Sequence, residues 1–452
     1  MSENKLPEDW VLTTLGSIGQ IVSGGTPSTS IPEFWGDSIS WISPVDLSGY
    51  TNKYISIGGK SITKLGLEKS SAKLMPAGSV LFSSRAPIGY VAIAQNELCT
   101  NQGFKSVIPS AAIHNIYLYY FLKYAKKQAD ELASGTTFKE ISLSNFSSIK
   151  IPLPPLAEQH RIVAKLEELF SELDKGIETL KTAQQQLKVY RQAVLKYAFE
   201  GKLTNPDVKD GELPEGWGVQ QLGKLCEVNP KLPEREYENS MEVTFLPMKR
   251  VSEVINKIDT SEVRTFSEVK KGFTPMINGD VIFAKITPCM ENGKIAVVHS
   301  LKNGVAFGST EFHVFRCNES VLNTYIFYFL VQERTRYKAE ENMTGAVGQR
   351  RVPKKFLEGY MIPIPGTKEE QQQIIHEIES RLSVCDKIEE SIAQGLRQAE
   401  VLRQSILKKA FEGKLVPQDP NDEPASVLLE RIKSERAAAQ PEKKTSSKKV
   451  KA

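Results

Sequence analysis

Cysteine and histidine are both scarce in this sequence, with five of each among 452 residues. Cys99, Cys226, Cys289, Cys317 and Cys385 are odd in number and never spaced Cys-x-x-Cys, which argues against a disulfide framework and against a zinc finger. His114, His160, His299, His313 and His376 form no metal-like pair, so no metal site is assigned. No apolar run approaches membrane-spanning length, and Met1 to Pro7 lack the basic-then-apolar order of an export signal. A cytoplasmic chain with no membrane association is therefore expected. An excess of one charge is missing too: 58 basic against 54 acidic residues leave a net +4, so any surface for a polyanion must be local.

Catalytic signatures are equally sparse. There is no Gly-x-Gly-x-x-Gly loop and no Asn-Pro-Pro-aromatic or Asp-Pro-Pro-aromatic motif. Gly59-Lys60-Ser61 has the close of a phosphate loop, but Tyr54 stands where its first glycine belongs. Pro206-Asp207 and Glu268-Val269-Lys270 carry the letters of a metal-dependent nuclease site, yet they lie too far apart. No catalytic residue and no bound cofactor is assigned to this chain, which reads as a binder.

What the sequence does contain is a repeat. Pro154 to Leu203 and Pro365 to Leu415 read as one long helical segment written twice, about 212 positions apart. Arg191 to Leu203 matches Arg403 to Leu415 at 10 of 13 positions, and both end in Ala-Phe-Glu-Gly-Lys-Leu. Leu6-Pro7-Glu8-Asp9-Trp10 is answered 207 positions later by Leu213-Pro214-Glu215-Gly216-Trp217. Met75 to Phe82 is answered by Met276 to Phe283, each a turn feeding a buried strand, so two globular stretches should share one fold. A chain this long exceeds a single core, and the repeat supplies the boundaries.

The long helices carry a seven-residue register. In the first, one seam holds Gln159, Leu166, Leu173, Leu180, Leu187 and Val194, and the other Ile162, Leu169, Gly176, Ala183, Tyr190 and Tyr197. The second helix has Ile378, Cys385, Ile392, Ala399 and Ile406 on one seam and Ile374, Ile388 and Leu402 on the other, broken by Arg381, Gly395 and Lys409, and reads as the weaker stripe. Helices of roughly 44 residues would run about 66 Å. Their apolar seams need cover, and the order domain, helix, domain, helix makes the pairing antiparallel, with the C-terminus returning towards the N-terminus; the alternative, parallel pairing across two copies of the chain, would leave the domains on one side. The aromatic runs Ile116 to Leu122 and Thr324 to Leu330 are expected to fill cores. Beyond a short helix near Pro424 to Lys433, Lys443 to Lys449 reads as a disordered basic arm.

The helix opening Pro154-Pro155-Leu156-Ala157-Glu158-Gln159, the Ala-Phe-Glu-Gly-Lys-Leu endings and Leu-Pro-x-x-Trp at both domain entrances together resemble the DNA-specificity subunit of type I restriction-modification enzymes. Gly24-Gly25-Thr26-Pro27-Ser28, followed by Trp35-Gly36 and Trp41-Ile42-Ser43, is similar to the opening of that family's target recognition domain. The tail Leu428 to Ala438 also resembles family members. The resemblance implies an α+β fold: two similar target recognition domains of mixed α/β type, separated by two long helices in an antiparallel coiled coil, with pseudo-two-fold character. Recognition domains are expected over 1–153 and 205–364, spacer helices over 154–204 and 365–416, and a helix with a basic tail over 417–452. The resemblance further implies a noncatalytic role in restriction-modification defence against foreign DNA. Each domain would read one half of a bipartite asymmetric double-stranded target, and the helix pair would fix the gap and dock partners. Those partners would be two methyltransferase subunits using S-adenosylmethionine and two motor-endonuclease subunits using ATP and Mg.

Base edges are read by side chains on loops, while lysine and arginine on phosphates supply position. In the first domain the candidates are Ser23, Gly24, Thr26 and Ser28, then Ser84 and Arg85 after the buried strand, and Thr136, Thr137 and Lys139 before the helix. In the second they are Lys249 and Arg250, Lys285 and Thr287, and the loop of Thr344, Gly345, Gln349, Arg350 and Arg351. Gln349 has the donor and acceptor to pair with adenine, and Arg85 the fork for guanine. The competing readings are a coiled-coil scaffold without DNA readout and a self-contained methyltransferase or nuclease, which the missing motifs disfavour.

Overall fold

The computed structural model describes residues 6–85, 87–135, 139–346 and 348–438. Thr136, Thr137 and the basic stretch 443–449 lie outside the described residues. The chain divides into two compact units, Met1–Thr179 with Gly395–Ala452, and Leu180–Gln394. The division cuts through both long helices, Leu156–Phe199 and Lys368–Phe411, instead of falling at their ends. Each unit is thus a globular domain joined by the start of one long helix and the end of the other.

The reason is where the apolar residues go. In the first unit Ile162, Val163, Leu166 and Phe170 share one core with Leu407, Ala410 and Phe411 and with the aromatic helix Asn115–Tyr124. In the second, Val194, Leu195, Ala198 and Phe199 share a core with Ile374, Ile375 and Ile378 and with the helix Asn323–Val331. The helix segments run antiparallel in each unit. Arg403 stacks on the Phe170 ring at 4.8 Å and pairs with Asp174, while residues nearer the start of the first helix meet the end of the second. In the second unit Arg191 lies 2.5 Å from Asp386 and 3.0 Å from Glu389.

The same closing device serves both units, and it explains why these motifs recur. The entry strand of each domain pairs with its exit strand: Val11–Thr14 with Lys150–Leu153, and Gly218–Gln221 with Met361–Ile364. Trp10 Nε1 donates to Glu158 at 3.0 Å, and Trp217 Nε1 to Glu370 at 2.8 Å. Gly201 and Gly413 end the helices with φ of +75° and +69°, the left-handed conformation that caps a helix and that glycine adopts without cost. Each glycine also abuts the proline of a Leu-Pro-x-x-Trp motif, Pro214 for Gly201 and Pro7 for Gly413. In the first unit, therefore, the end of the last long helix seals the N-terminal segment, and Ala425 N–H donates to the Asp9 carbonyl at 3.2 Å. Gly413→Ala is expected to cost at least about 1–2 kcal/mol from the backbone alone, with the methyl overlapping Pro7 in addition. Thermal melting of the variant checks this.

Two glutamines anchor the helix starts from inside. Gln159 is fully buried; its Nε2 donates to the carbonyls of Ala112 (2.9 Å) and Pro154 (3.0 Å), and its Oε1 accepts from His114 N–H at 2.8 Å. Gln371 does the same with Ser320 and Leu322. Both sit where the seven-residue register asks for an apolar side chain, and both satisfy the turn that precedes the aromatic helix.

Glu158, beside Gln159, is buried, and burial raises its carboxyl above the usual range although Trp10 and Gln418 donate to it. A raised folded pKa means stability that is whole below the unfolded value near 4.5 and is lost as pH rises through the folded one. Glu158→Gln keeps an acceptor for Trp10 and removes the charge. Its melting temperature should exceed that of the parent at pH 8, with the difference vanishing at pH 4.

Inside the first domain a five-stranded sheet runs in the order Gly19–Ser23, Lys105–Pro109, Val80–Phe82, Val91–Ala94, Tyr54–Ile55, beside a three-stranded sheet of Lys60–Ile62, Trp35–Ile42 and Cys99–Thr100. The second has four strands in the order Cys226–Val228, Phe312–Cys317, Val281–Ala284, Ile295–Val297, and four more in the order Val263–Thr265, Glu242–Leu246, Val305–Gly308, Thr274–Ile277. The fold is α+β with two similar domains, as expected from the repeat. The aromatic runs are core: Tyr117 and Tyr325 are fully buried and each donates its hydroxyl to a proline carbonyl of the exit strand, Pro152 at 2.8 Å and Pro363 at 2.9 Å.

Candidate nucleic-acid interface

In each unit, a short hairpin from a late loop docks on the backbone just after the central strand. In the first, Ser134 and Glu140 pair with each other, Glu140 bridges to Arg85, and Ile141 N–H donates to the Ser84 carbonyl at 3.0 Å. In the second, Thr344 and Arg351 pair with each other, Arg351 bridges to Ile286, and Val352 N–H donates to the Lys285 carbonyl at 2.9 Å. Residues some 50 to 65 apart in sequence thus join as one surface, once in each unit. A third segment completes each cluster: Ser84 N–H donates to the Gly103 carbonyl at 2.7 Å, and Lys285 N–H to the Glu311 carbonyl at 2.9 Å.

The candidate residues distribute unevenly over these clusters. Ser23 pairs with Lys105 across the sheet, Gly24 N–H donates to the Phe104 carbonyl, and Thr26 hydrogen-bonds Gln102, so the first-domain loop joins the cluster through residues 101–105. Gly24 lies against the backbone of Thr100 and Asn101, where any side chain would overlap; it serves the close crossing of two chain segments. Ser28 sits apart, bonded to Ser30 at 2.8 Å, with its carbonyl accepting from Trp35 Nε1. Ser84 needs correction as a base reader, because its side chain is fully buried and faces Lys105 Nζ at 3.5 Å. Arg85 is half-buried and lies 3.6 Å from Glu140, while Lys139 is exposed and 3.7 Å from Asp130. Thr136 and Thr137 lie outside the described residues.

In the second unit, Lys285, Thr287, Thr344, Gly345, Gln349, Arg350 and Arg351 fall together. Thr287 N–H donates to the Arg350 carbonyl at 3.2 Å, and its hydroxyl to Glu291 at 2.8 Å. Gly345 has φ of +122°, a conformation that side chains other than hydrogen resist, and it starts the turn. Gln349 is exposed, and among the described residues its side-chain amide has no hydrogen-bond partner. Arg350 lies 3.5 Å from Glu340. Arg351 forms a two-pronged pair with Glu311, at 2.9 and 2.8 Å.

Lys249 and Arg250 are not part of this cluster. Arg250 is held by Glu262 at 3.0 Å, by Asp259 and by the Ser261 hydroxyl at 2.9 Å, so its guanidinium fastens its own loop. Lys249 is exposed beside it.

Sequence reasoning missed Lys105, Glu140, Glu311 and the loop 101–103. Lys105 is buried in a strand, with Nζ 3.1 Å from Glu140. The one available signal was the polar Asn101-Gln102-Gly103 between two strand-like runs, a turn that carries side chains. Glu311 is held below the usual carboxylate range first by the Arg351 hydrogen bonds. His313 is buried and kept below its ordinary value by desolvation, with Nε2 donating to the Val352 carbonyl at 2.8 Å. Among the described residues no group of His, Cys, Asp and Glu could hold a metal ion, and no helix is long and apolar enough to cross a membrane.

A duplicated α+β domain, each copy carrying a docked hairpin and closed by paired long helices, defines the class of protein. The chain belongs to the family described as type I restriction modification DNA specificity domain, which matches residues 7–185 and 214–398. It is 36% identical over 260 residues to the type I restriction enzyme MjaIX specificity subunit of Methanocaldococcus jannaschii, covering 55% of this chain and 59% of that protein. It is 35% identical over 271 residues to the EcoAI specificity subunit of Escherichia coli, covering 51% and 46%. The chain thus spans about half the length of these two relatives. With the EcoKI specificity subunit of Escherichia coli strain K12 it shares 27% identity over 466 residues, 97% of this chain and 98% of that one. Two solved structures share the fold. One, from work on complex assembly and conformational transition of the type I R-M system, has a TM-score of 0.68 at 21% identity, covering 91% of this chain and 99% of that chain. The other, the HsdS subunit from Thermoanaerobacter tengcongensis, has a TM-score of 0.58 at 20% identity with the same coverage.

Proposed function

We propose that this chain is the noncatalytic DNA-selecting subunit of a type I restriction-modification complex, each unit reading one half of a bipartite, asymmetric target. The observation that carries this reading is the pair of docked hairpins. They hold the same place on the same scaffold, yet Ser134 to Glu140 and Thr344 to Arg351 differ in length and end on different side chains, Phe138-Lys139-Glu140 in one and Gln349-Arg350-Arg351 in the other. Like scaffolds with unlike reading segments suit two different half-sites, whereas identical segments would suit an inverted repeat. Gln349 supplies a bidentate donor and acceptor for adenine, and Lys139, Lys285 and Arg350 supply phosphate contacts.

The helix pair sets the length of the unread gap and docks two methyltransferase subunits, which carry S-adenosylmethionine. Two motor-endonuclease subunits, using ATP and Mg, complete the complex in the cytoplasm. The chemistry resides in those partners. Purified chain supplied with S-adenosylmethionine, or with ATP and Mg, should neither methylate nor cut DNA, while it shifts a duplex bearing its target in preference to a scrambled one when methyltransferase is present. Activity of the chain alone would replace this reading with an enzyme, and equal shifts of both duplexes would replace it with a protein scaffold.

A further inference from the structure

The two hairpins are fastened by ion pairs of opposite polarity. Register fixes the equivalence. Lys105 stands two residues before Val107, the partner of Val80, and His313 two residues before Phe315, the partner of Val281. Gly103 and Glu311 give the equivalent carbonyls to Ser84 and Lys285, and Glu140 and Arg351 each precede the residue whose N–H returns to Ser84 or Lys285. Position for position, Lys105 answers His313, Gly103 answers Glu311, and Glu140 answers Arg351. In the first unit the hairpin brings the anion and the scaffold the cations: Glu140 meets Lys105 at 3.1 Å and Arg85 at 3.6 Å. In the second the hairpin brings the cation and the scaffold the anion, Arg351 gripping Glu311 through two nitrogens.

We infer that Glu311, with Arg351, and Lys105, with Glu140, are positioning residues that seat the reading hairpins, each pair doing so with the polarity opposite to the other's. Arg351 acts through Glu311 and leaves base contact to its neighbours, chiefly Gln349. A planar guanidinium on a carboxylate fixes orientation as well as place, which a hairpin that must offer Gln349 to a base edge requires. The inference rests on the proposed function, since it assigns roles within the same surface.

The test is selection of bound sequences from randomised duplex DNA by the full chain with its methyltransferase partner. The parent should enrich two unlike half-sequences at fixed spacing. Arg351→Glu should lower enrichment of one half by about ten-fold and leave the other untouched, whereas the exchange Glu311→Arg with Arg351→Glu should restore it to within about threefold. Glu311→Gln, which loosens the pair without placing like charges together, should blur the same half with the melting temperature of the second unit unchanged. An exchange variant no better than Arg351→Glu, or an Arg351→Glu variant that selects as the parent does, overturns the inference and leaves the proposed function standing. A parent that enriches nothing removes both.

Discussion

Phe411→Ala is expected to cost the first unit about 3–5 kcal/mol, the range for emptying a buried phenylalanine site. Phe411 closes the second long helix and is 4% exposed. Its ring meets Tyr117, Phe121 and Tyr124 with centroids 5.3, 5.4 and 5.2 Å away, so truncation removes three ring contacts and leaves a cavity between the helix end and the aromatic helix. At roughly 2–4 °C per kcal/mol for a unit of this size, the melting transition should fall by about 6–20 °C. Phe199, against Tyr325 at 4.8 Å and Phe329 at 5.3 Å, plays the same part in the second unit, where Phe199→Ala should act alike. Melting of Phe411→Ala within a degree of the parent would show that the helix end does not seal the first domain.

Replacing Gln349, Arg350 and Arg351 together by alanine should abolish selection at one half of the target. Gln349 offers the donor and acceptor that discriminate adenine, worth about 1–3 kcal/mol, or roughly 5- to 150-fold. Loss of Arg351 adds to this by freeing the hairpin from Glu311, and loss of Arg350 removes a cation proposed to meet a phosphate. The hairpin is solvent-facing, so the second core should melt as before, and assembly with the methyltransferase should persist. Methylation of the native target by the reconstituted complex, measured beside a pull-down of the partner, checks both halves of the expectation. Intact methylation would take this loop out of the interface.

The parts of the fold legible in the sequence are those carried by contiguous words. Leu-Pro-x-x-Trp and Glu-Gly-Lys-Leu recur because each proline and tryptophan packs on a helix-ending glycine, and that contact is needed once per unit. Ile378, Cys385, Ile392, Ala399 and Ile406 read as the weaker stripe, yet all are buried, because small and sulfur-bearing side chains suit a close helix pair as well as leucine does. On the companion seams Tyr190, Tyr197, Ile388 and Leu402 are exposed, since two helices cover only one narrow stripe of each other; Ile162 and Ile374 are buried there because a globular domain covers them. Ser84 followed a buried strand in sequence, but Gly103 and Ile141 bond its backbone from two sides and its hydroxyl faces Lys105, so it is enclosed. Lys105, Glu140 and Glu311 were invisible because each matters through a partner 35 to 40 residues away, and the sign of the charge differs between the units.

Inserting one helical turn in the second helix should lengthen the gap between the two read halves while leaving each half unchanged, and an unaltered gap would discard the ruler.

The most direct test of the central claim is a methylome map of the host with and without this chain. The account predicts that deletion erases methylation at one asymmetric motif of two unlike halves separated by a constant gap, and that restoring the chain restores it. A map unchanged by deletion, or a lost motif that is a simple palindrome, would contradict two unlike reading surfaces carried on one chain.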